Sequence, residues 1–200
     1  MKIIDQYWEW VQRPNSPLLI IERAGRTCYK SEDKITNDSA KKFVKALIKR
    51  GHESVIEHAV ASVRFITNRG NSHELVRHRL ASYSQESTRY VAYKDEIEFI
   101  RPVWWDKWSI EEQQLWLNTL QIIEKNYQTL LQIGCHQEKA REILPNSLKT
   151  EIVVTANLRE WRHIFKLRCS KAAHPQIRAL MLDCLEGFKK EIPIIFDDLP

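Results

Sequence analysis

Glycine is scarce in this chain: five occur in 200 residues, and no GxGxxG or GxxxxGKS/T pattern is formed. A Rossmann dinucleotide site and a P-loop are both excluded, because each needs glycines where the backbone closes on phosphate. Any nucleotide has to be held by side chains and helix ends. Cysteine is equally sparse. Cys28, Cys135, Cys169 and Cys184 form no CxxC pair, which fits neither a zinc cage nor a secreted disulfide framework and predicts reduced thiols. Long apolar runs are missing too, the longest being stretches such as LLII at 18–21, and the start MKIIDQYWEW carries no signal-peptide core. A cytoplasmic protein without a membrane partner is expected. Repeats, low-complexity tracts and Pro/Gly-rich linkers are also absent.

What the chain does have is apolar residues and a basic balance. Hydrophobic residues make up 43%, enough for one compact domain over residues 1–200 with its own core. The net charge of +5 suits nucleic acid, and equally suits an enzyme whose substrates and cofactors are anions.

Periodicity places the elements. SAKKFVKALIKR at 39–50 has an apolar face at Phe43, Ala46 and Leu47 and stops at Gly51, which predicts an amphipathic helix. From Ala59 to Thr67 apolar residues alternate with Ser62 and Arg64, predicting a strand with one buried face. Asn71 and Glu74 stand at capping-box spacing, so a short helix over SHELVRHR is expected. IEFI at 97–100 reads as a strand. Ser109 and Glu112 then cap a long helix to about Gly134, with Ile110, Leu117, Leu120, Ile123, Tyr127 and Leu131 on one stripe. A helix over roughly 137–144, a strand alternating Leu148, Thr150, Ile152 and Val154, a helix started by Asn157 and Glu160, and a last one opened by Pro175 complete the chain. Long helices with few, non-consecutive strands indicate an α+β arrangement.

One stretch departs from the mixed charge elsewhere. RHRLASYSQESTRY at 77–90 carries three arginines, a histidine, three serines and a threonine against one carboxylate, Glu86. Guanidiniums and hydroxyls together match phosphate or carboxylate oxygens, although a solvated basic loop is the ordinary alternative. On a helix, side chains two apart point about 200° from each other, so Arg77 and Arg79 do not clamp one phosphate. Either one is solvated, or they serve different anions or different subunits. HESVIEH at 52–58 and HELVRH at 73–78 have the wrong histidine spacing for a helical zinc site, so no metal is expected. Arg141, in AREILP, is by itself an ordinary surface arginine. Arg168 is more telling, because it continues the apolar stripe of Leu158, Trp161 and Phe165 and so needs a partner, an internal salt bridge being the usual one. Arg159 and His163, four apart, form a second donor face on the same helix.

These blocks resemble a known family. RHRLASYSQESTRY is similar to the RHR-x7-S signature of the flavin-dependent thymidylate synthases, and GHESVIEH, AREILP and NLREWRHIFKLR followed by HPQIR resemble that family in the same order, over about residues 50–180. The resemblance implies a small, mainly antiparallel sheet packed by long helices, and a homotetramer with active sites between subunits. It implies FAD as cofactor, dUMP as substrate, and NADPH and 5,10-methylenetetrahydrofolate as co-substrates in the reductive methylation of dUMP to dTMP. By the same likeness Ser54, Arg77, His78, Arg79, Gln85, Asn157, Leu158, Arg159 and His163 contact FAD. Glu74, Leu75, Val76, Arg77, Gln85, Glu86, Ser87, Thr88, Arg89, Arg141 and Arg168 contact dUMP, with Arg168 the catalytic group that stabilises charge on the pyrimidine. Glu74, Gln85 and His163 depart from residues that some members carry there. A reading from another class, a single-stranded nucleic-acid-binding module with Tyr83, Tyr90, Tyr93 and the tryptophans as stacking platforms, predicts no flavin.

Overall fold

A computed structural model describes residues 1–200. In chain order the elements are β1 (Lys2–Ile4), β2 (Tyr7–Gln12), α1 (Pro17–Thr27), α2 (Ser39–Lys49), β3 (Val60–Asn68), α3 (Arg69–Leu75), β4 (Ala81–Gln85), β5 (Glu98–Ile100), α4 (Ile110–Gln132), α5 (Gln137–Ala140), β6 (Lys149–Asn157), α6 (Leu158–Arg168) and α7 (Pro175–Glu191). Short 3-10 turns at Glu32–Lys34, Glu53–His58, Trp105–Lys107 and Arg141–Ile143 join them. The fold is α+β, with a four-stranded sheet in the order β2-β3-β6-β4 and a separate pair, β1 with β5. That pair is parallel, with Ile3 opposite Phe99. No helix is long and apolar enough to cross a membrane.

Two compact units make up the chain. The first comprises Met1–Tyr7, Phe65–Arg77 and Ser84–Ile152. Its core gathers Ile97, Phe99, Leu120, Tyr127, Ala140 and Leu148 under α4. That helix starts on the expected capping box, Ser109 Oγ accepting from Glu112 N while the Glu112 carboxylate accepts from Ser109 N. Its inner stripe is Leu120 and Tyr127, with Ile123 and Leu131 partly buried against the same core; Ile110 lies outside it and is 84% exposed.

The second unit comprises Trp8–Arg64, His78–Tyr83 and Val153–Pro200. An aromatic cluster fills it, with Trp161, Phe165, Phe188 and Phe196 in mutual ring contact. Fully burying each such ring stabilises by about 1.5–3 kcal/mol, which fixes α6 against α7. Gly187 on α7 is required by this packing, since a Cβ there would overlap the Trp8 indole.

Three expectations are corrected. β3 is buried along most of both faces, Ser62 included, and is an inner strand of the sheet; the buried Ser62 Oγ finds its partner in Thr155 Oγ1 at 2.7 Å. α3 is capped by Asn68, whose side chain accepts from Asn71 N at 2.8 Å, while the Asn71 amide turns inward to Thr67 and Gln6. The helix therefore starts three residues earlier than expected, and ends at Leu75. Arg77, His78 and Arg79 lie beyond it in the turn before β4, so the helical angle between the two arginines does not apply.

Candidate functional site

The second unit holds the most organised polar site. Asn157 ends β6 and caps α6, its side chain accepting from Glu160 N at 2.8 Å. The helix turns Leu158, Trp161 and Phe165 into the core, where each is fully buried, and Trp161 Nε1 donates to Ala61 O at 3.1 Å. Asn157, Arg159, Glu160, His163 and Lys166 then line a cleft of about 560 Å³ together with Glu53, Glu57 and Leu80. That volume lies in the range of small-molecule and cofactor sites. Arg159 Nη1 donates to Glu57 at 2.6 Å, and Lys166 stands 3.6 Å from Glu53.

Beside this cleft lies a buried cluster. Arg168 Nε donates to His78 Nε2 at 3.0 Å. His78 is 4% exposed and Glu160 6%, with His78 Nδ1 3.9 Å from the Glu160 carboxylate. Tyr83 donates to the His78 carbonyl at 2.7 Å. Burial pushes the Tyr83 hydroxyl up to about 12, with Glu160 adding and Arg168 opposing. Burial also raises the Glu160 carboxyl above its ordinary value, opposed by His163, because a buried carboxylate loses hydration. The His163 ring is exposed and stands edge-on to that of His78, centroids 5.7 Å apart.

The first unit holds a second polar group. Gln85, at the end of β4, donates to Ser72 Oγ at 2.9 Å and Thr150 Oγ1 at 3.1 Å. Glu86 is held by its backbone N–H on Glu151 O, by the Tyr93 hydroxyl at 2.7 Å and by Lys149 at 3.6 Å. Burial first, and then Glu86, raise the Tyr93 hydroxyl far above its ordinary value. The chain then turns through Ser87 and buried Thr88. Arg141 Nη1 reaches Thr88 Oγ1 at 3.5 Å, and Arg89 Nε lies 3.5 Å from Glu138. Both arginines are exposed, and their contacts are long enough for an anion to replace them.

The expected site residues thus fall into two groups. Ser54, His78, Arg79, Asn157, Leu158, Arg159, His163 and Arg168 belong to the second unit; Glu74, Leu75, Val76, Arg77, Gln85, Glu86, Ser87, Thr88, Arg89 and Arg141 belong to the first. Leu158 has a core position, its side chain fully buried and its N–H bonded to Ala59 O at 2.9 Å. Leu75 is buried as well, at 1% exposure, so only its backbone is available. Arg77, Arg79 and Ser54 are exposed, and so are His52 and His58. Sequence reasoning missed Glu160, which it read as a capping residue, and read Tyr83 only as a stacking platform. The signal for Glu160 was a carboxylate two turns before Arg168 on the same helix.

Comparison with known proteins identifies the family. The family described as "Thymidylate synthase complementing protein" matches residues 10–194. A flavin-dependent thymidylate synthase of Geobacter sulfurreducens is 36% identical over 196 residues, covering 94% of this chain and 84% of that protein. One from Corynebacterium aurimucosum is 33% identical over 212 residues, covering 96% and 83%. In fold the chain is similar to a UMP/dUMP methylase of Streptomyces cacaoi solved with 5-Br dUMP, at a TM-score of 0.82, 23% identity and coverage of 98% and 96%. With the match spanning both units and every block of the polar site, the chain belongs to the thymidylate synthase complementing protein family, alongside these flavin-dependent thymidylate synthases.

Proposed function

We propose that this protein is a flavin-dependent thymidylate synthase that converts dUMP to dTMP, with 5,10-methylenetetrahydrofolate as one-carbon donor and NADPH as reductant. The observation that carries this reading is the pairing of Arg168 with His78 beside a cleft lined by Asn157, Arg159 and His163, in a chain of this family.

The residues present fit FAD. Leu80, 78% exposed at the cleft wall, offers an apolar face to a flat ring. Arg159 and Lys166 bring cations, and exposed Arg79 carries no ion pair of its own that would compete for a diphosphate. Asn157 retains its amide N–H groups after capping α6. Bound there, FAD supplies a two-electron store between NADPH and the pyrimidine.

Arg89, Arg141, Ser87 and Thr88 are assigned to the dUMP phosphate, where guanidiniums and hydroxyls give charge-assisted hydrogen bonds. Arg168 has its Nε–H engaged by His78, so its plane is fixed and its terminal nitrogens face a chosen direction. That fixed charge stabilises electron density building on the pyrimidine without reorganisation. No protein nucleophile is needed. Cys169 and Cys184 are buried, and burial raises both thiols, Cys169 to about 11, which disfavours thiolate chemistry.

Assembly as a homotetramer accounts for Leu115, Ile122 and Ile133, which are 70%, 61% and 74% exposed on or just beyond α4. We place the protein's work in the cytoplasm. The test is an absorbance spectrum of purified protein before and after added FAD, followed by dTMP formation with all co-substrates. A flavin spectrum and dTMP are expected; failure to bind FAD under any condition would sink the reading.

A further inference from the structure

We propose that Glu160 is a positioning residue that acts through His78 on Arg168. This rests on the reading that Arg168 serves the pyrimidine. Because Arg168 Nε–H donates to His78 Nε2, that nitrogen carries no proton, and the neutral ring holds its proton on Nδ1. The Glu160 carboxylate stands 3.9 Å from Nδ1, at ion-pair distance. A carboxylate there favours the Nδ1–H tautomer over the Nε2–H form, which would set N–H against the guanidinium N–H. With Glu160 and His78 at 6% and 4% exposure, water screens this preference little.

The geometry is supported from the backbone. Glu160 and Arg168 lie on the same helix, Glu160 in its first turn and Arg168 at its end. The Tyr83 hydroxyl holds the His78 carbonyl at 2.7 Å. The sequence Glu160, His78, Arg168 therefore restrains rotation about the arginine Nε and with it the plane of the guanidinium.

The same donors suggest an ion, since ligand atoms of His78, Glu160 and His163 lie within 4.8 Å of one another. An ion facing Glu160 needs the Nδ1 lone pair, however, and the Arg168 bond leaves the proton on that nitrogen. The geometry favours the proton.

Imidazole 15N NMR on histidine-labelled protein tests this directly, at about pH 8 where an ordinary histidine is neutral. Signals of His78 are identified by their loss in His78→Gln. In the unsubstituted protein Nδ1 is expected to be protonated and Nε2 not; the reverse overturns the proposal. Glu160→Gln removes the charge but keeps the shape and the backbone cap, and should shift His78 toward Nε2–H while turnover falls about tenfold, equivalent to about 1.4 kcal/mol. Glu160→Asp keeps the charge and should retain the Nδ1–H form, with turnover within about threefold. An unchanged tautomer in Glu160→Gln with a lowered melting temperature would mean a structural role only, and overturns the proposal. So does zinc binding in equilibrium dialysis that is lost in both Glu160→Gln and His163→Ala. A tautomer shift in a protein that forms no dTMP upholds the Glu160–His78–Arg168 chain while refuting the proposed reaction.

Discussion

Replacing Arg168 by lysine separates catalysis from folding. The substitution keeps a unit charge at the end of α6 but removes the planar fork. Arginine donates sideways to His78 Nε2 from Nε at 3.0 Å and carries two further nitrogens beyond that bond. Lysine has one ammonium at the tip of a flexible stem and cannot serve both directions. Losing one preorganised donor at developing charge corresponds to about 2.7–4 kcal/mol of transition-state stabilisation. Turnover should therefore fall by roughly two to three orders of magnitude. Stability should change little, within about 1 kcal/mol, because Leu158, Trp161 and Phe165, which anchor the helix, are untouched and fully buried. Thermal unfolding, FAD absorbance, flavin reduction by NADPH and dTMP formation are measured on one preparation. Flavin binding and reduction should persist while dTMP formation collapses. An Arg168→Lys protein that melts early but turns over at the normal rate would remove Arg168 from the mechanism.

Other outcomes follow from the same geometry. Arg89→Ala should weaken dUMP binding by about 1.5–3 kcal/mol and leave FAD nearly unaffected, and Arg79→Ala should do the reverse; calorimetric titrations in which both variants harm the same ligand equally contradict the division. In the native protein a thiol reagent should label exposed Cys28 and half-buried Cys135 quickly but spare Cys169 and Cys184, which react on denaturation; replacing all four should leave dTMP formation intact in folded protein. The Asp198 carboxyl is held below its ordinary value by its hydrogen bonds to Arg162. A depressed acid stabilises the fold above its unfolded value, near 4, and loses that contribution as pH falls through the folded value. Melting temperature should thus drop on acidification below about pH 4, and less steeply in Asp198→Asn. Gly187→Ala should destabilise by about 1–3 kcal/mol through the Trp8 ring, read by urea unfolding.

Legibility in the sequence followed how local each signal was. The segment from Leu148 to Arg168 was read correctly because alternation, an asparagine cap and an apolar stripe all occur within neighbouring residues. α3 was misplaced because Asn68 and Asn71 are equally good caps on paper, and only the burial of Asn71 against Thr67 decides between them. β4 escaped notice: ASYSQ is an edge strand with little apolar surface, and its membership in the sheet is a tertiary fact. The arginines were read as candidate anion ligands from their chemistry. The proton direction in His78 was invisible, since it depends on a residue ninety positions away.

Arg162 extends this dependence to the end of the chain. It is 2% exposed and grips Asp198 through both carboxylate oxygens, at 2.6 and 2.7 Å, the Ile195 carbonyl, and Glu53 of the cleft wall at 3.1 Å. A chimera that exchanged the segment after α7 for one with no acid at 198 would touch no ligand-facing residue. It would nevertheless leave a buried guanidinium short of its counter-charge, a change that costs about 3–5 kcal/mol in comparable pairs. Positions 53, 162 and 198 thus have to be exchanged as a set. Recombination or shuffling that separates them selects against itself, however neutral the exchanged surface looks.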